Sequence, residues 1–251
     1  MNARPQAVCA GVPVKTAQAL IPGLYSLVLA ALILGPLLGP GHLLLRDAVS
    51  TPRSYLTDSA LGLGDAAARA VPQDALIATL SVVVDGGVVV KAVLLGALWM
   101  AGWGAARMVR VVLPAAGLGS ALVASTVMLW NPYVAERLLQ GHWSLLTGYA
   151  ALPWTICAAV ALRRGHRRGW FALAACLAAA GLTPTGVLLA AVTALAVTAF
   201  PGGRTSVWQR LLGALVLFVL ASAPWLAATA LSGSGADGSD PAGVAAFAAR
   251  A

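Results

Sequence analysis

Long apolar runs without a charged residue constrain this chain more than any other feature of its sequence. They occur at residues 16–45, 111–135, 138–162, 169–203 and 211–236. Each run exceeds the ~20 residues that a helix needs to cross a bilayer. Strands of a membrane barrel would instead alternate in polarity over about ten residues, and these runs do not. The sequence therefore predicts an all-α, polytopic bundle of transmembrane helices.

The basic residues of the chain predict its orientation. The formal charge is +8, but the arginines lie in short clusters beside apolar runs and form no basic face with interleaved aromatic residues, so we expect no nucleic-acid partner. Basic clusters favour the cytoplasmic side of a membrane. Arg4 and Lys15 thus predict a cytoplasmic N-terminal segment over residues 1–21, and the RRGHRR sequence at 163–168 predicts a cytoplasmic loop.

About seven spans satisfy these clusters within a transmembrane domain over residues 22–231. The stretch 169–203 would measure about 50 Å as one helix, too long for a ~30 Å hydrocarbon core, so we predict a break at Thr183-Pro184. One tilted helix there would instead give six spans. The predicted spans are residues 22–45, 88–106, 111–130, 145–162, two short helices within 169–203, and 211–231. External loops at 46–87 and 131–144 and a polar, incomplete extracytoplasmic tail at 232–251 complete the prediction.

The first external loop gathers four of the eight acidic residues of the chain: Asp47, Asp58, Asp65 and Asp74. A partly desolvated carboxylate can act as a general base on a hydroxyl, so Asp47 and Asp58 are the candidate catalytic residues. Arg46 and Arg53 could bind a lipid phosphate through bidentate hydrogen bonds. In the alternative interpretation, these arginines only neutralise Asp47 and Asp58. Asp74 precedes an apolar segment and is predicted to be a helix N-cap, and Asp65 a solvated turn residue.

The second external loop carries Glu136, Arg137, Gln140, His142 and Trp143. On a helix, Glu136, Gln140 and Trp143 would share one face with Arg137 beside it, a set able to bind a sugar or a phosphate. The alternative is an interfacial loop with an aromatic belt, in which Glu136 pairs with Arg137. The three cysteines show no disulfide or metal-site spacing. No cofactor is certain, although a divalent cation remains open.

Three segments carry a resemblance: LLLRDAVSTPRSYLTD, PQDALIATLS and NPYVAERLLQGHWSLLTGYAALPW. Together they resemble bacterial GT-C-type integral-membrane glycosyltransferases, over about residues 22–231 and most specifically from NPYVAER to GHW. The resemblance implies seven spans in the plasma membrane and an inverting transfer from a polyprenyl-phosphate sugar to a glycan or glycolipid of the cell envelope. Relatives continue into further spans or a soluble domain, so we expect a truncated member.

The resemblance also implies roles for the candidate residues. An aspartate of the first external loop is the general base, which on this chain would be Asp47, with Asp58 as the fallback. Arg46, Arg53 or Arg137 would stabilise the departing phosphate, and Glu136, His142 and Trp143 would hold the sugar. The alternative function is a non-catalytic membrane protein: a lipid or glycolipid transporter, a flippase component or an assembly partner. Charges in the membrane interior would favour transport, whereas nearly all charges here lie at span ends.

Overall fold

A computed structural model of the chain describes residues 14–44, 46–63 and 71–231. Within these ranges the chain is all-helical, without a strand. The helices are α1 (Val14–Leu34), α2 (Asp58–Leu61), α3 (Gln73–Leu80), α4 (Gly86–Val112), α5 (Leu118–Leu129), α6 (Pro132–Gln140), α7 (Trp143–Arg163), α8 (Arg168–Ala180), α9 (Pro184–Ala199) and α10 (Val207–Leu231), with 3₁₀ turns at Gly35–Leu37 and Arg46–Ala48. The predicted N-terminal segment up to residue 13, Asp65 and the predicted tail at 232–251 lie outside the described residues.

Four helical segments are long and apolar enough to cross a membrane: Leu20–Leu37, Gly86–Val112, Trp143–Arg163 and Val207–Leu231. α5, α8 and α9 have 12, 13 and 16 residues, which corresponds to about 18–24 Å at ~1.5 Å per residue. Large apolar side chains on α1, α9 and α10 face outward, and Leu32, Val192 and Leu212 are more than 60% exposed. Soluble monomers seldom expose large apolar patches. The fold is therefore compatible with a membrane protein.

α7 is the central helix of the bundle, because it packs against α4, α8 and α9. α4 also packs against α1 and α5, and α10 packs against α9. Two buried apolar clusters result, one on each side of α7. Gly148 of α7 permits a close crossing with α9, since a Cβ atom there would lie 2.8 Å from the Cα atom of Gly186. Small residues allow such close approach of apolar helices.

The long helices begin and end at two common levels, so the bundle has two ends: α1 runs opposite to α4, and α7 runs in the same direction as α4. Lys91 Nζ donates hydrogen bonds of 2.6 Å to the Gly39 and Gly41 carbonyls, which joins the start of α4 to the end of α1. Arg164 Nη2 donates to the Val111 carbonyl at 3.1 Å, which joins the ends of α7 and α4.

We call these the carboxylate end and the arginine end. The carboxylate end holds every carboxylate side chain of the described residues: Asp47, Asp58, Asp74, Asp85 and Glu136. The arginine end holds Arg107, Arg110, Arg163, Arg164, Arg167, Arg168, Arg204 and Arg210. Charge is therefore distributed asymmetrically along the bundle axis.

The bounds of three helices, α1, α4 and α5, differ from the predicted spans. α1 ends at Leu34 and its 3₁₀ extension at Leu37, because the following Gly39-Pro40-Gly41 sequence disfavours a helix, so the predicted span to residue 45 is too long. α4 extends beyond both ends of the predicted 88–106 span. α5 begins at Leu118 and not at residue 111, since Pro114 and Gly117 separate it from α4.

The predicted helix break at Thr183-Pro184 is confirmed. α8 ends at Ala180 and α9 begins at Pro184, where the Thr183 hydroxyl accepts a hydrogen bond from Gly186 N at 3.0 Å. Threonine is a good N-cap and proline suits the first helical position, where no backbone donor is needed. The alternative of one tilted helix over residues 169–203 is therefore wrong.

Candidate functional site

The carboxylate end brings together residues from both predicted external loops. Asp47 lies in the 3₁₀ turn Arg46–Ala48, and His142 lies between α6 and α7. The Oδ2 atom of Asp47 is 2.9 Å from the Nε2 atom of His142. The Asp47 side chain is 71% exposed, whereas that of His142 is 25% exposed. The fold thus holds the imidazole in place while the carboxylate stays open to an incoming molecule.

Polar contacts continue from His142 into α6. Arg137 Nη1 lies 2.9 Å from His142 Nδ1, and Arg137 Nη2 donates to Glu136 Oε1 at 2.5 Å. A guanidinium has only donors, so Nδ1 must accept. In a neutral imidazole the single proton is then on Nε2, the atom that faces Asp47 Oδ2 at 2.9 Å. We call Asp47, His142, Arg137 and Glu136 the polar chain.

Local sequence explains how α6 presents this chain. Asn131 caps the helix, because its Oδ1 atom accepts a hydrogen bond from Val134 N at 3.0 Å, and Pro132 follows at the first helical position. Gly141 ends the helix with a φ of +76°, which side-chain-bearing residues seldom adopt. A Cβ atom at Gly141 would also lie 2.5 Å from Ala48 N. Glycine therefore allows the turn that carries Asp47 to pack directly on the α6–α7 junction.

A polar cavity of about 240 Å³ lies beside the polar chain. Its lining includes Asp47, Gln73 and His142, together with residues from the starts of α7 and α9: Trp143, Ser144, Leu145, Thr183, Pro184 and Thr185. The Oε1 atom of Gln73 is buried and accepts no hydrogen bond from the described residues. A buried acceptor without a donor costs about 1–3 kcal/mol. A hydroxyl group of a ligand could satisfy it.

An apolar cavity of about 450 Å³ meets the polar chain from another direction. We call it the leucine cavity. It is bounded by Arg137 and His142, and its apolar wall includes Ile33, Leu37, Leu43, Leu44, Leu94 and Leu138. The Nε atom of Arg137 is buried and donates to none of the described residues. His142 lines both cavities, so the polar chain lies between an apolar and a polar compartment.

Several candidate residues lie outside the polar chain. Arg53 stacks 5.5 Å from the centre of the Tyr55 ring, and Asp58 lies in the first turn of α2. Among the described residues, neither Arg46 nor Arg53 forms an ion pair with Asp47 or Asp58. The interpretation in which the arginines only neutralise the charge of these aspartates at a membrane surface stays a prediction.

The predicted face of the second loop is correct in part. Gln140 Nε2 donates to Glu136 Oε1 at 3.3 Å, and the Glu136–Arg137 pair forms. Trp143 does not share this face, because Gly141 ends α6 and Trp143 opens α7, where it is 7% exposed. Glu136, Arg137 and Gln140 therefore belong to one helix, α6. The Glu136–Arg137 pair fits the alternative interpretation as well, and the interfacial position of this loop stays a prediction.

Sequence reasoning missed a second histidine–aspartate pair. His42 Nε2 lies 3.2 Å from Asp85 Oδ2, and the Oδ1 atom of Asp85 accepts hydrogen bonds from Gly87 N and Val88 N at the start of α4. The hydrogen bond with His42, aided by these backbone donors, lowers the pKa of Asp85. The two residues lie 43 positions apart, so no local pattern in the sequence indicates the pair. This pair ties the segment after α1 to α4.

Two further predictions concern acidic residues. Asp74 is not an N-cap, because Pro72 occupies that position and Asp74 lies in the first turn of α3. Within residues 14–44, 46–63 and 71–231, no three His, Cys, Asp or Glu side chains form a group that could hold a metal ion. The possible divalent cation remains a prediction.

Comparison with protein-family models, with curated protein sequences and with solved structures finds no match to this chain. The chemistry of the site therefore rests on its own geometry.

Proposed function

We propose that this chain is a membrane glycosyltransferase that moves a sugar from a polyprenyl-phosphate donor to a glycan or glycolipid acceptor of the cell envelope. One observation carries the proposal: the polar chain lies between the leucine cavity and the polar cavity. The parts of a lipid-linked sugar follow one another in the same order, since its phosphate lies between an apolar tail and a sugar. The resemblance of the surrounding loops to GT-C-type enzymes supports the same assignment.

The donor would bind with its parts distributed over these compartments. The isoprenoid units next to the phosphate would lie in the leucine cavity. Arg137 would hold the phosphate, because guanidinium groups bind phosphate oxygens through charge-assisted hydrogen bonds and its Nε donor is unused within the described chain. The sugar would occupy the polar cavity, where Gln73 Oε1 can accept a hydrogen bond from a sugar hydroxyl.

Transfer would then be a single displacement at the anomeric carbon. The acceptor hydroxyl attacks from the side opposite the phosphate, so the new C–O bond forms as the C–O bond to phosphate breaks, and the configuration inverts. The hydroxyl proton passes to Asp47, and the electron pair of the broken bond leaves with the lipid phosphate, beside Arg137. His142 would position the Asp47 carboxylate through the 2.9 Å contact of its Nε2 atom, and Glu136 would position Arg137.

The proposal includes a topology with seven crossings, formed by α1, α4, α5, α7, α8, α9 and α10. The carboxylate end would face outward from a bacterial plasma membrane, and the N-terminus and the arginine end would lie in the cytoplasm. The position of the described carboxylates opposite the arginine clusters supports this orientation. α5, α8 and α9 are shorter than a ~30 Å core, and a locally thinned bilayer would accommodate them.

Sugar transfer in membrane vesicles tests the proposal. Vesicles that contain the chain receive radiolabelled polyprenyl-phosphate sugars, and incorporation into acceptor is measured for the wild type and for Asp47→Asn. We expect a loss of about 10²- to 10⁴-fold, the usual contribution of a general base. Asp58→Asn is the matched control, because Asp58 lies in the same external segment but outside the polar chain, and it should retain activity. Equal transfer by Asp47→Asn and the wild type would contradict the assignment of the base.

A non-catalytic lipid-handling protein is the second candidate, and one observation favours it. A groove of about 750 Å³ between α4, α7 and α8 is larger than either cavity at the carboxylate end. This function predicts movement of a fluorescent lipid between leaflets in vesicles that show no sugar transfer with any donor. Sugar transfer that depends on Asp47 would exclude it as the main activity.

A further inference from the structure

The groove between α4, α7 and α8 lies away from the polar chain. α4 and α8 both pack against α7 but scarcely touch each other, so no other described helix covers the surface of α7 between them. Small apolar side chains form much of the wall, among them Ala97, Ala150, Ala158, Ala161, Ala172 and Ala175. Along α4 the groove extends from Gly96 to Val111, about 22 Å at ~1.5 Å per residue. This length exceeds half of a ~30 Å hydrocarbon core and fits a lipid chain lying lengthwise.

Basic side chains surround the groove at the arginine end: Arg107, Arg164, His166 and Arg168. Arg164 uses one guanidinium nitrogen on the Val111 carbonyl. Arg107 lies 5.9 Å from the centre of the Trp154 ring, and no hydrogen bond or ion pair joins the side chain of Arg107, His166 or Arg168 to another described residue. Their donors are therefore available to an anion at this opening.

An adjoining small cavity adds a fifth basic group. It is lined by Arg107 and Arg110, and the Nη2 atom of Arg110 is buried without a hydrogen-bond partner among the described residues. A buried charged donor without an acceptor is costly, and an anionic ligand nearby would reduce that cost.

Protein carboxylates do not supply that anion in the described part of the chain. All five described carboxylates lie at the carboxylate end, and none borders the groove. Other arginines of the arginine end are already used internally, as when Arg163 Nη2 donates to the Pro201 carbonyl at 2.9 Å. Within the described residues, charge complementarity therefore favours an anion from outside, and the apolar wall favours one that carries a long apolar chain.

We propose that this groove binds one anionic glycerophospholipid from the leaflet at the arginine end. An acyl chain lies against the alanine wall, and the phosphate group contacts Arg107 and Arg168. The site is separate from the polar chain, and its occupancy requires no sugar transfer.

Native mass spectrometry of the purified full-length chain, titrated with phosphatidylglycerol or phosphatidylcholine, tests the proposal. We expect preferential retention of phosphatidylglycerol by the wild type. The Arg107→Gln/Arg168→Gln double variant should lose about tenfold or more in that retention, because each basic residue near a membrane surface contributes to the attraction of anionic lipid. Arg167→Gln is the matched control, since Arg167 is exposed and adjacent to Arg168 but does not line the groove.

A second measurement tests the alanine wall. Cys157 and Cys176 both line the groove as free thiols. In a Cys9→Ser background, added phosphatidylglycerol should therefore slow their alkylation by a membrane-permeant maleimide. Ala175→Phe narrows the groove at an exposed position, so the variant should fold and should retain less lipid.

Three results would overturn the proposal. If the double variant retained as much phosphatidylglycerol as the wild type, Arg107 and Arg168 would not bind the phosphate group. An equal loss of phosphatidylglycerol retention in Arg167→Gln would indicate nonspecific attraction of the lipid to the basic surface. Displacement of the lipid by glycerol phosphate at equal concentration would show a headgroup site without a chain site. Each readout is independent of sugar transfer, so failure here leaves the proposed glycosyltransferase function untouched, and the reverse also holds.

Discussion

The two ends of the bundle use arginine in different ways. At the carboxylate end, Arg137 contacts the side chains of Glu136 and His142. At the arginine end, Arg210 is 1% exposed and donates only to backbone carbonyls, those of Thr198, Phe200 and Thr205. The contacts of Arg137 join groups that can bind a ligand or transfer a proton. Those of Arg210 instead hold the connection between α9 and α10 in place. Loss of charge should therefore impair chemistry at one end and folding at the other.

The largest effect of a substitution on stability is expected at Arg210. Arg210→Met leaves three buried or partly buried carbonyls without their donor, so we expect a destabilisation of about 3 kcal/mol. The measurement is thermal unfolding in detergent, with Arg167→Met as an exposed control that should change stability by less than about 0.5 kcal/mol. Equal unfolding temperatures for Arg210→Met and the wild type would contradict the structural role of Arg210 at the arginine end.

At the carboxylate end, His142→Ala should reduce activity more than stability. The variant removes the imidazole that contacts Asp47 at 2.9 Å, and loss of a contact to a charged group corresponds to a decrease of about ten- to a hundredfold in the proposed sugar transfer. His142→Gln keeps an amide donor and should recover part of the loss. A merely structural role would predict parallel losses of folding and activity in both variants, which circular dichroism and transfer assays together would detect.

Gly141 should show a smaller, mixed effect. Gly141→Ala forces a side chain into a positive-φ position and against Ala48 N, so we expect about 1–2 kcal/mol of destabilisation together with reduced transfer. Gly202 also has a positive φ, of +81°, but a Cβ atom there would contact nothing. Gly202→Ala should therefore destabilise the chain without lowering transfer by the folded protein. Equal transfer by the two variants would contradict packing of the Asp47 turn on Gly141.

The smallest effect concerns the pH dependence of the His42–Asp85 pair. The pKa of Asp85 is lowered in the fold, so the pair stabilises the protein above the unfolded pKa of the carboxyl and loses this contribution as the pH falls through the folded pKa. His42→Ala should lower the unfolding temperature near pH 7, and the difference from the wild type should shrink towards about pH 3. A difference that grows on acidification would contradict this sign.

Orientation is open to a direct check that involves no change in stability. Single cysteines at Leu139, which is 72% exposed on α6, and at Arg167 lie at opposite ends of the bundle. In a background without the native cysteines, an impermeant thiol reagent should label the first in intact cells and the second only after permeabilisation. The reverse pattern would invert the proposed topology.

The predictions from sequence succeeded where local chemistry decides. The break before Pro184 and the contacts of Glu136 with Gln140 and Arg137 follow from residues within a few positions of one another. The predictions failed where several residues can each end a helix, as after Leu34, where the predicted span was too long. They also failed at the start of α3, where the N-cap was assigned to Asp74 and Pro72 occupies that position.

By itself the sequence determined that this chain is a bundle of apolar helices, with its described carboxylates and most of its described arginines at different helix ends. Apolar burial and backbone hydrogen bonding within a helix depend on contiguous residues, so they can be read along the chain. Only the tertiary structure decided that Asp47 meets His142 and that Arg210 is buried against carbonyls. Such contacts join distant segments over a few ångströms, and they depend on how close α6, α7 and the 3₁₀ turn approach at Gly141.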